Sequence, residues 1–162
     1  MGTHTKIALG GGCHWCTEAV FQSLKGVDKV EQGYVSSLNQ NNTFSEAVII
    51  HFYEDVIPLE VLVEIHLHTH KSTSNHSMRD KYRSAIYTFS EAQEMEAITV
   101  LKNFNNTFEK TIITEVLPFS EFKASREAIQ NYYKKNPEKP FCKQFINPKL
   151  KLLVDKFSKY VI

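Results

Sequence analysis

A chain of 162 residues, 42% hydrophobic and 23% charged, has an ordinary globular composition, which excludes collagen-like, low-complexity and disordered classes and suits one domain over 1–162. Nineteen basic residues against eighteen acidic ones leave a net charge of +1, so the chain-wide basic footprint of a partner for nucleic acid or an anionic membrane is absent. The N-terminus lacks an apolar run of signal-peptide length, no stretch approaches the roughly 20 apolar residues of a membrane span, and Lys6 stands where a myristoylation signal wants Ser or Thr, so a cytoplasmic protein is expected.

In chain order, Thr5 to Leu9 predicts a short strand running into the turn Gly10-Gly11-Gly12. Thr17 to Leu24 predicts a helix with Val20, Phe21 and Leu24 on one face and Gly26 past its end. Lys29 to Val35 reads as a strand, and Glu46 to Tyr53, rich in β-branched and aromatic residues, as a stronger one. Pro58 opens a helix through His68. Tyr82 to Phe89 reads as the next strand. Ser90 with Gln93 forms the start of a helix reaching about Asn103. Thr111 to Val116 is expected as a strand and Ala124 to Lys135 as a helix. Pro148 opens a last helix whose apolar stripe is Leu150, Leu153, Val154, Phe157 and Val161. Its lysines, Lys149 among them, are read as a solvated outer face.

The first six elements run strand, helix, strand, strand, helix, strand. That order matches a ferredoxin-like split β-α-β core and predicts an α+β two-layer sandwich, a mixed sheet covered by helices.

Three cysteines without an export signal argue for reactive or packed thiols and against a structural disulfide framework. Cys13 and Cys16 lie in Gly10-Gly11-Gly12-Cys13-His14-Trp15-Cys16-Thr17-Glu18, between a strand and a helix. A cysteine at a helix start meets the positive end of the helix dipole and unpaired N–H groups, which favour thiolate. Cys13 is therefore the expected nucleophile, with Cys16 within disulfide reach. The glycines, Gly12 included, let backbone approach a substrate closely. A zinc site is disfavoured because Cys142 has no cysteine partner at matching spacing. His66, His68, His70 and His76 crowd one region. His66 and His70 have i, i+4 ligand spacing, but they are read as surface imidazoles at a wet helix end.

The segment Gly-Gly-Cys-x-Trp-x-x-Glu resembles the A-type peptide methionine sulfoxide reductases, whose motif reads Gly-Cys-Phe-Trp followed by Glu. The resemblance continues through Gly33-Tyr34, through Ser45-Glu46-Ala47-Val48, through Tyr82-Arg83-Ser84-Ala85-Ile86-Tyr87, and through Gln130-Asn131-Tyr132 to Phe141-Cys142. It implies reduction of methionine S-sulfoxide, free or in proteins. Cys13 matches the nucleophile that attacks the sulfoxide sulfur. Glu46 matches the acid, and its apolar strand should raise its pKa. Tyr34 and Tyr82 match the hydroxyls that bind the oxygen. Trp15 matches the wall against the substrate methyl group, with His14 and Gly12 beside it in the substrate site. The resemblance further implies a sulfenic acid on Cys13, resolved by Cys16, by Cys142 from a mobile Pro/Lys-rich stretch, or by both in relay, and then reduced by thioredoxin. No cofactor and no metal are expected, and the chain should act as a monomer.

The sequence departs from that pattern in three places. His14 stands where the family usually has Phe. The segment from His70 to Lys81 is shorter than the corresponding family loop and has no Asp at the matching position. Ile129 replaces a His that usually precedes Gln130. Two other readings stay open: a general thiol-disulfide oxidoreductase, suggested by the Cys13/Cys16 pair alone, and an inactive reductase-fold binding protein.

Overall fold

A computed structural model describes residues 4–162. Among them, six strands form one sheet in the order β5-β4-β1-β3-β2-β6. These are β1 (His4–Gly10), β2 (Val27–Ser36), β3 (Ser45–Tyr53), β4 (Ala85–Thr88), β5 (Glu115–Pro118) and β6 (Glu121–Ala124). All neighbours pair antiparallel except β4 and β5, which run parallel, so the sheet is mixed. Five α-helices accompany it: α1 (His14–Gln22), α2 (Leu59–Thr69), α3 (Glu91–Asn103), the short α4 (Tyr132–Lys135) and α5 (Asn147–Phe157). The architecture is α+β.

The alternation of side chains along a strand decides the layers. Ile7 and Leu9 of β1, Val48, Ile50 and Phe52 of β3 and Ile86 of β4 turn to one face. There they pack against Val20 and Phe21 of α1, Leu62, Val63 and Ile65 of α2, Ala97 and Val100 of α3, and Leu153 and Phe157 of α5. Each buried Phe, Leu or Ile side chain contributes about 1.5–3 kcal/mol. The opposite face carries smaller groups, Ala8, Ala47 and Ala85, with Val35, Ile49 and Tyr87, under Phe89, Leu117, Phe119 and Phe122. No helix among the described residues is long and apolar enough to cross a membrane.

Three expectations are corrected. The helix expected over Ala124 to Lys135 is absent. Residues 121–124 instead add β6 to the edge of β2, Ser125 N donates to the Gln32 carbonyl at 3.1 Å, and Asn131 takes a left-handed φ of 57°, which leaves α4 a single turn. The strand expected over Thr111 to Val116 starts at Glu115, because Ile113 N is drawn to the Ser72 carbonyl at 2.7 Å and Thr114 to the Ser84 hydroxyl. The strand expected over Tyr82 to Phe89 shortens to Ala85–Thr88, since Arg83 N is held by the Ser45 hydroxyl at 2.7 Å.

Candidate active site

The turn after β1 fixes the position of α1. Gly10 pairs with both Ala47 and Ala85, and a Cβ there would sit 2.8 Å from the Glu46 carbonyl oxygen. Gly11 has φ of +154°, and its Cβ would lie 2.7 Å from His70 Nε2. Both positions therefore require glycine. Gly12 follows without such crowding and lines a cleft with Cys13.

Cys13 is the N-cap of α1 and half-buried; its carbonyl accepts from Thr17 N and Thr17 Oγ1, each at 3.2 Å. The Cys13 thiol is pulled below its ordinary pKa. The Cys16 thiol donates to it, and the Trp15 and Cys16 N–H groups at the helix start add to the effect, against burial and the Glu46 charge. Cys16 is pushed up for the converse reason: it is the donor to Cys13, it is buried, and it faces the Cys13 charge. Cys142 is fully buried, starts a π-helical turn over Cys142–Ile146, and packs in one cluster with Cys16, Ala19 and Ile146, against which Cys13 also rests. Burial pushes its thiol up. The sequence placed Cys142 in a mobile stretch; instead it is already beside Cys16. All three thiols are free.

Two clefts open on either side of Cys13. The first, about 400 Å³, is lined by Cys13, His14, Trp15, Tyr34, Glu46 and Tyr82, with Phe44, Lys81, Ile129 and Phe141. Antiparallel register sets Tyr34 of β2 directly opposite Glu46 of β3. Tyr82 arrives from the loop before β4, because Ser45 Oγ donates to the Lys81 carbonyl at 2.9 Å and Glu46 N to the same oxygen at 3.0 Å. Trp15 stacks on Tyr132 with centroids 4.0 Å apart and meets Phe141 edge-on at 5.3 Å, so the aromatic wall is braced from behind.

The surroundings of Glu46 differ from those its strand sequence predicts. Glu46 is 6% exposed, and its carboxylate faces polar groups. Oε1 accepts from His14 N at 3.2 Å and lies 3.4 Å from His14 Nε2, and Oε2 lies 3.6 Å from Lys81 Nζ. His14, expected beside the substrate methyl group, is 3% exposed; its Nδ1 donates to the Gly33 carbonyl at 2.8 Å, and its ring meets Tyr34 edge-on.

The second cleft, about 480 Å³, is lined by Gly12, Cys13, Cys16, His70, Phe145 and Lys149, among others. Lys149 is not on a solvated face. It is half-buried, donates to the Thr69 carbonyl, and brings a positive charge toward Cys16 and Cys13.

Several supporting residues were missed by sequence reasoning. His66 and His70 are not surface imidazoles. His66 is buried, and its Nε2 donates to the Gly10 carbonyl at 2.8 Å. The His70 Nδ1 donates to the His66 carbonyl, and its Nε2 accepts from Ser84 Oγ at 2.8 Å, which in turn meets Thr114 Oγ1 at 2.7 Å. These contacts use His66 Nε2 and both ring nitrogens of His70, and only the buried His66 Nδ1 is left without a partner among the described residues. Burial pushes both imidazoles down, His66 to about 4. Arg79 binds the short loop to the turn, donating through Nη1 to the Gly11 and Tyr82 carbonyls, both at 2.8 Å, and through Nε to the Ser74 carbonyl at 2.9 Å. Glu18, in the motif but given no role, is buried and accepts from Gln32 Nε2 at 2.9 Å and Asn131 N at 3.1 Å, which holds the segment carrying Ile129 and Tyr132 over the cleft. An i, i+4 His pair and a lone buried Glu carry no sequence signal that separates such props from surface groups.

A family profile described as peptide methionine sulfoxide reductase matches residues 5–160. The chain is 35% identical to a protein named peptide methionine sulfoxide reductase MsrA from Psychrobacter sp. (strain PRwf-1), over 96% of this chain and 97% of that one. Its fold is similar to that of Mxr1 from Saccharomyces cerevisiae in reduced form (TM-score 0.75, 23% identity, 86% of this chain and 89% of that chain). It is also similar to Mxr1 from the same organism in complex with Trx2 (TM-score 0.64, 21% identity, 80% of this chain and 84% of that chain). With Cys13 set at the start of α1 and the match running nearly end to end, the chain belongs to the peptide methionine sulfoxide reductase family, the MsrA oxidoreductases.

Proposed function

We propose that this protein reduces methionine S-sulfoxide to methionine with Cys13 as nucleophile, Glu46 as proton source and Tyr34 and Tyr82 as the hydroxyls that hold the sulfoxide oxygen. The observation that carries this reading is the joint opening of Cys13, Glu46, Tyr34 and Tyr82 into one cleft, with the free, buried Cys16 packed behind Cys13. Trp15 and His14 line the same cleft, while Gly12 lines the second cleft on the other side of Cys13. The sulfoxide oxygen is a poor leaving group until it is protonated or strongly hydrogen-bonded. Cys13 thiolate attacks the sulfur, one proton enters from Glu46, and the oxygen ends on Cys13. The sulfoxide gains two electrons as methionine, and Cys13 loses two as the sulfenic acid.

Cys16 then attacks the Cys13 sulfur, forming a disulfide and releasing water. Cys16 lies in the first turn of α1, its N–H donating to the Cys13 carbonyl at 3.1 Å, which favours Cys16 as the first resolving residue. Cys142, packed beside Cys16, exchanges next: its thiolate attacks the Cys16 sulfur and frees Cys13 as thiolate. A thioredoxin reduces the last disulfide; the fold likeness to Mxr1, captured with Trx2, supports that class of reductant. A reducing compartment such as the cytoplasm suits this cycle. We read residues 1–162 as one catalytic domain acting as a monomer. The strand order β4-β1-β3-β2 supports a ferredoxin-like split β-α-β core.

The test is a stereospecific assay. Wild type and Cys13→Ser are incubated with each epimer of a methionine sulfoxide peptide and dithiothreitol, and methionine is quantified. Turnover of the S epimer alone, abolished in Cys13→Ser, is the expected result. Insulin reduction without sulfoxide turnover would replace this reading with a general disulfide oxidoreductase, and neither activity would leave a binding protein.

A further inference from the structure

His14 lies between the reacting cysteine and the acid. Its Nδ1 faces only the Gly33 carbonyl oxygen at 2.8 Å, which can accept but not donate, so Nδ1 carries a hydrogen in every protonation state of the ring. Nε2 is the one ring position left to gain or lose a proton, and it lies within ion-pair distance of Glu46 Oε1, at 3.4 Å. The same carboxylate oxygen accepts from the His14 main-chain N–H, so one residue addresses it from both backbone and ring. Both side chains are shielded from solvent.

We propose that His14 Nε2 and Glu46 hold a single proton between them and that this shared proton is the one delivered to the sulfoxide oxygen, which makes His14 the residue that keeps the acid loaded. The proposal rests on the reading of Glu46 as proton source. Burial pushes the His14 imidazolium down, against the pull of the Gly33 carbonyl and the Glu46 charge, which leaves Nε2 available as an acceptor for a proton from the carboxyl beside it. When Glu46 ionises, the proton still has a station on Nε2.

Lys81 makes such a station necessary. Its ammonium lies 3.6 Å from Oε2, so a fixed positive charge already stands beside the group that must hold and deliver a proton. The other groups around the pair come from each neighbouring element. Cys13 caps α1 and Glu18 lies within it, Tyr34 and the Gly33 carbonyl belong to β2, and Tyr82 and Lys81 to the loop before β4. Glu18 favours imidazolium, and Lys81 disfavours it. In the reacting complex the balance is one proton: the pair gives up H⁺, the oxygen receives it as the Cys13–sulfur bond forms, and the pair recovers H⁺ from solvent before the next substrate.

The experiment compares pH profiles of kcat/KM for S-sulfoxide peptide in wild type, His14→Asn, His14→Phe, Lys81→Met and Glu46→Gln. His14→Asn retains a donor for Gly33 but has nothing at Nε2. Expected are an alkaline limb displaced downward by about one pH unit, a tenfold loss above it, in both His14 variants, and an upward displacement in Lys81→Met. A residue that only packs would lower the rate without moving the limb. Alkaline limbs of His14→Asn and His14→Phe that coincide with wild type, while Glu46→Gln loses the limb, overturn the His14 inference alone. Full activity and an unchanged limb in Glu46→Gln overturn the acid reading itself. Should the His14 variants fail to fold by circular dichroism, ¹⁵N spectra of histidine-labelled wild type decide the matter. The Nε2 resonance must titrate with the alkaline limb, and an Nε2 signal constant across it overturns the proposal.

Discussion

The two clefts that meet at Cys13 are built from different chemistry. One faces the sulfur with Tyr34, Tyr82, His14 and Glu46, groups that can hold or move a proton. The other sets Cys16 beside the aromatic rings of Phe141 and Phe145 and the two lysines Lys71 and Lys149, and no carboxylate is among the described residues that line it. Attack on a sulfoxide needs an acid for the departing oxygen, whereas resolution needs a second sulfur and no acid of comparable strength. Placing Cys13 at the N-cap lets one sulfur serve both sides while the helix start stabilises its thiolate throughout. The division of labour runs along the two sides of a single residue.

Substitutions on one side should therefore spare the chemistry of the other. The largest effect is expected from Glu46→Gln. Methionine formed in a single turnover should slow by roughly 10²–10⁴-fold, while alkylation of Cys13 by iodoacetamide is unimpaired or faster, since the Glu46 charge opposes the thiolate. Equal losses in both measurements would erase the distinction between the clefts. Cys16→Ser should give the reverse pattern. One methionine per enzyme forms at the wild-type rate in a quench experiment, and thioredoxin-driven turnover falls by about tenfold or more as the relay is broken. A slowed first turnover would show that Cys16 belongs to the reductive side as well.

A smaller effect, shared by both sides, comes from the histidines under the glycine turn. His66 has a folded pKa of about 4, below its unfolded value of about 6.5. Above pH 6.5 both states are neutral and its contribution is intact. As pH falls from there toward 4, the unfolded chain takes up a proton that the folded one refuses, at a cost of about 3 kcal/mol by pH 4. Urea unfolding at pH 7 and pH 4.5 should show this loss, with a shallower pH slope in His66→Gln. An unchanged slope in that variant would mean another group controls acid sensitivity.

What the sequence made legible follows from locality. Strands β1 and β3 and helices α1, α2, α3 and α5 were readable because their own periodicity and capping residues specify them, as with Ser90 accepting from Gln93 N at α3. Residues of α1 fell together by proximity in the chain. Tyr34, Glu46 and Tyr82 were named through family resemblance; strand register sets Tyr34 opposite Glu46, and the bonds of Ser45 and Glu46 to the Lys81 carbonyl bring Tyr82 to them. What stayed hidden depends on distant partners. Strand β6 exists because β2 offers it an edge, and Asn131 turns left-handed where Glu18 can bind its N–H. His66 and Arg79 hold the Gly10 and Gly11 carbonyls from far along the chain, with the His70 ring packed against Gly11, contacts that no local pattern encodes. The environment of Glu46 was misread for the same reason: the strand supplies apolar neighbours along its length, while His14 and Lys81 come from elsewhere.

The outer strands of the sheet have a consequence for the behaviour of the protein in a crowded solution. Both are four residues long; β5 ends in Pro118, which has no N–H to offer, and β6 carries exposed Glu121 and Lys123. An unpaired sheet edge is a template on which a foreign extended chain can zip up, and brevity, proline and alternating charge each shorten or spoil that template. The six-stranded sheet thus closes its own margins against edge-to-edge aggregation.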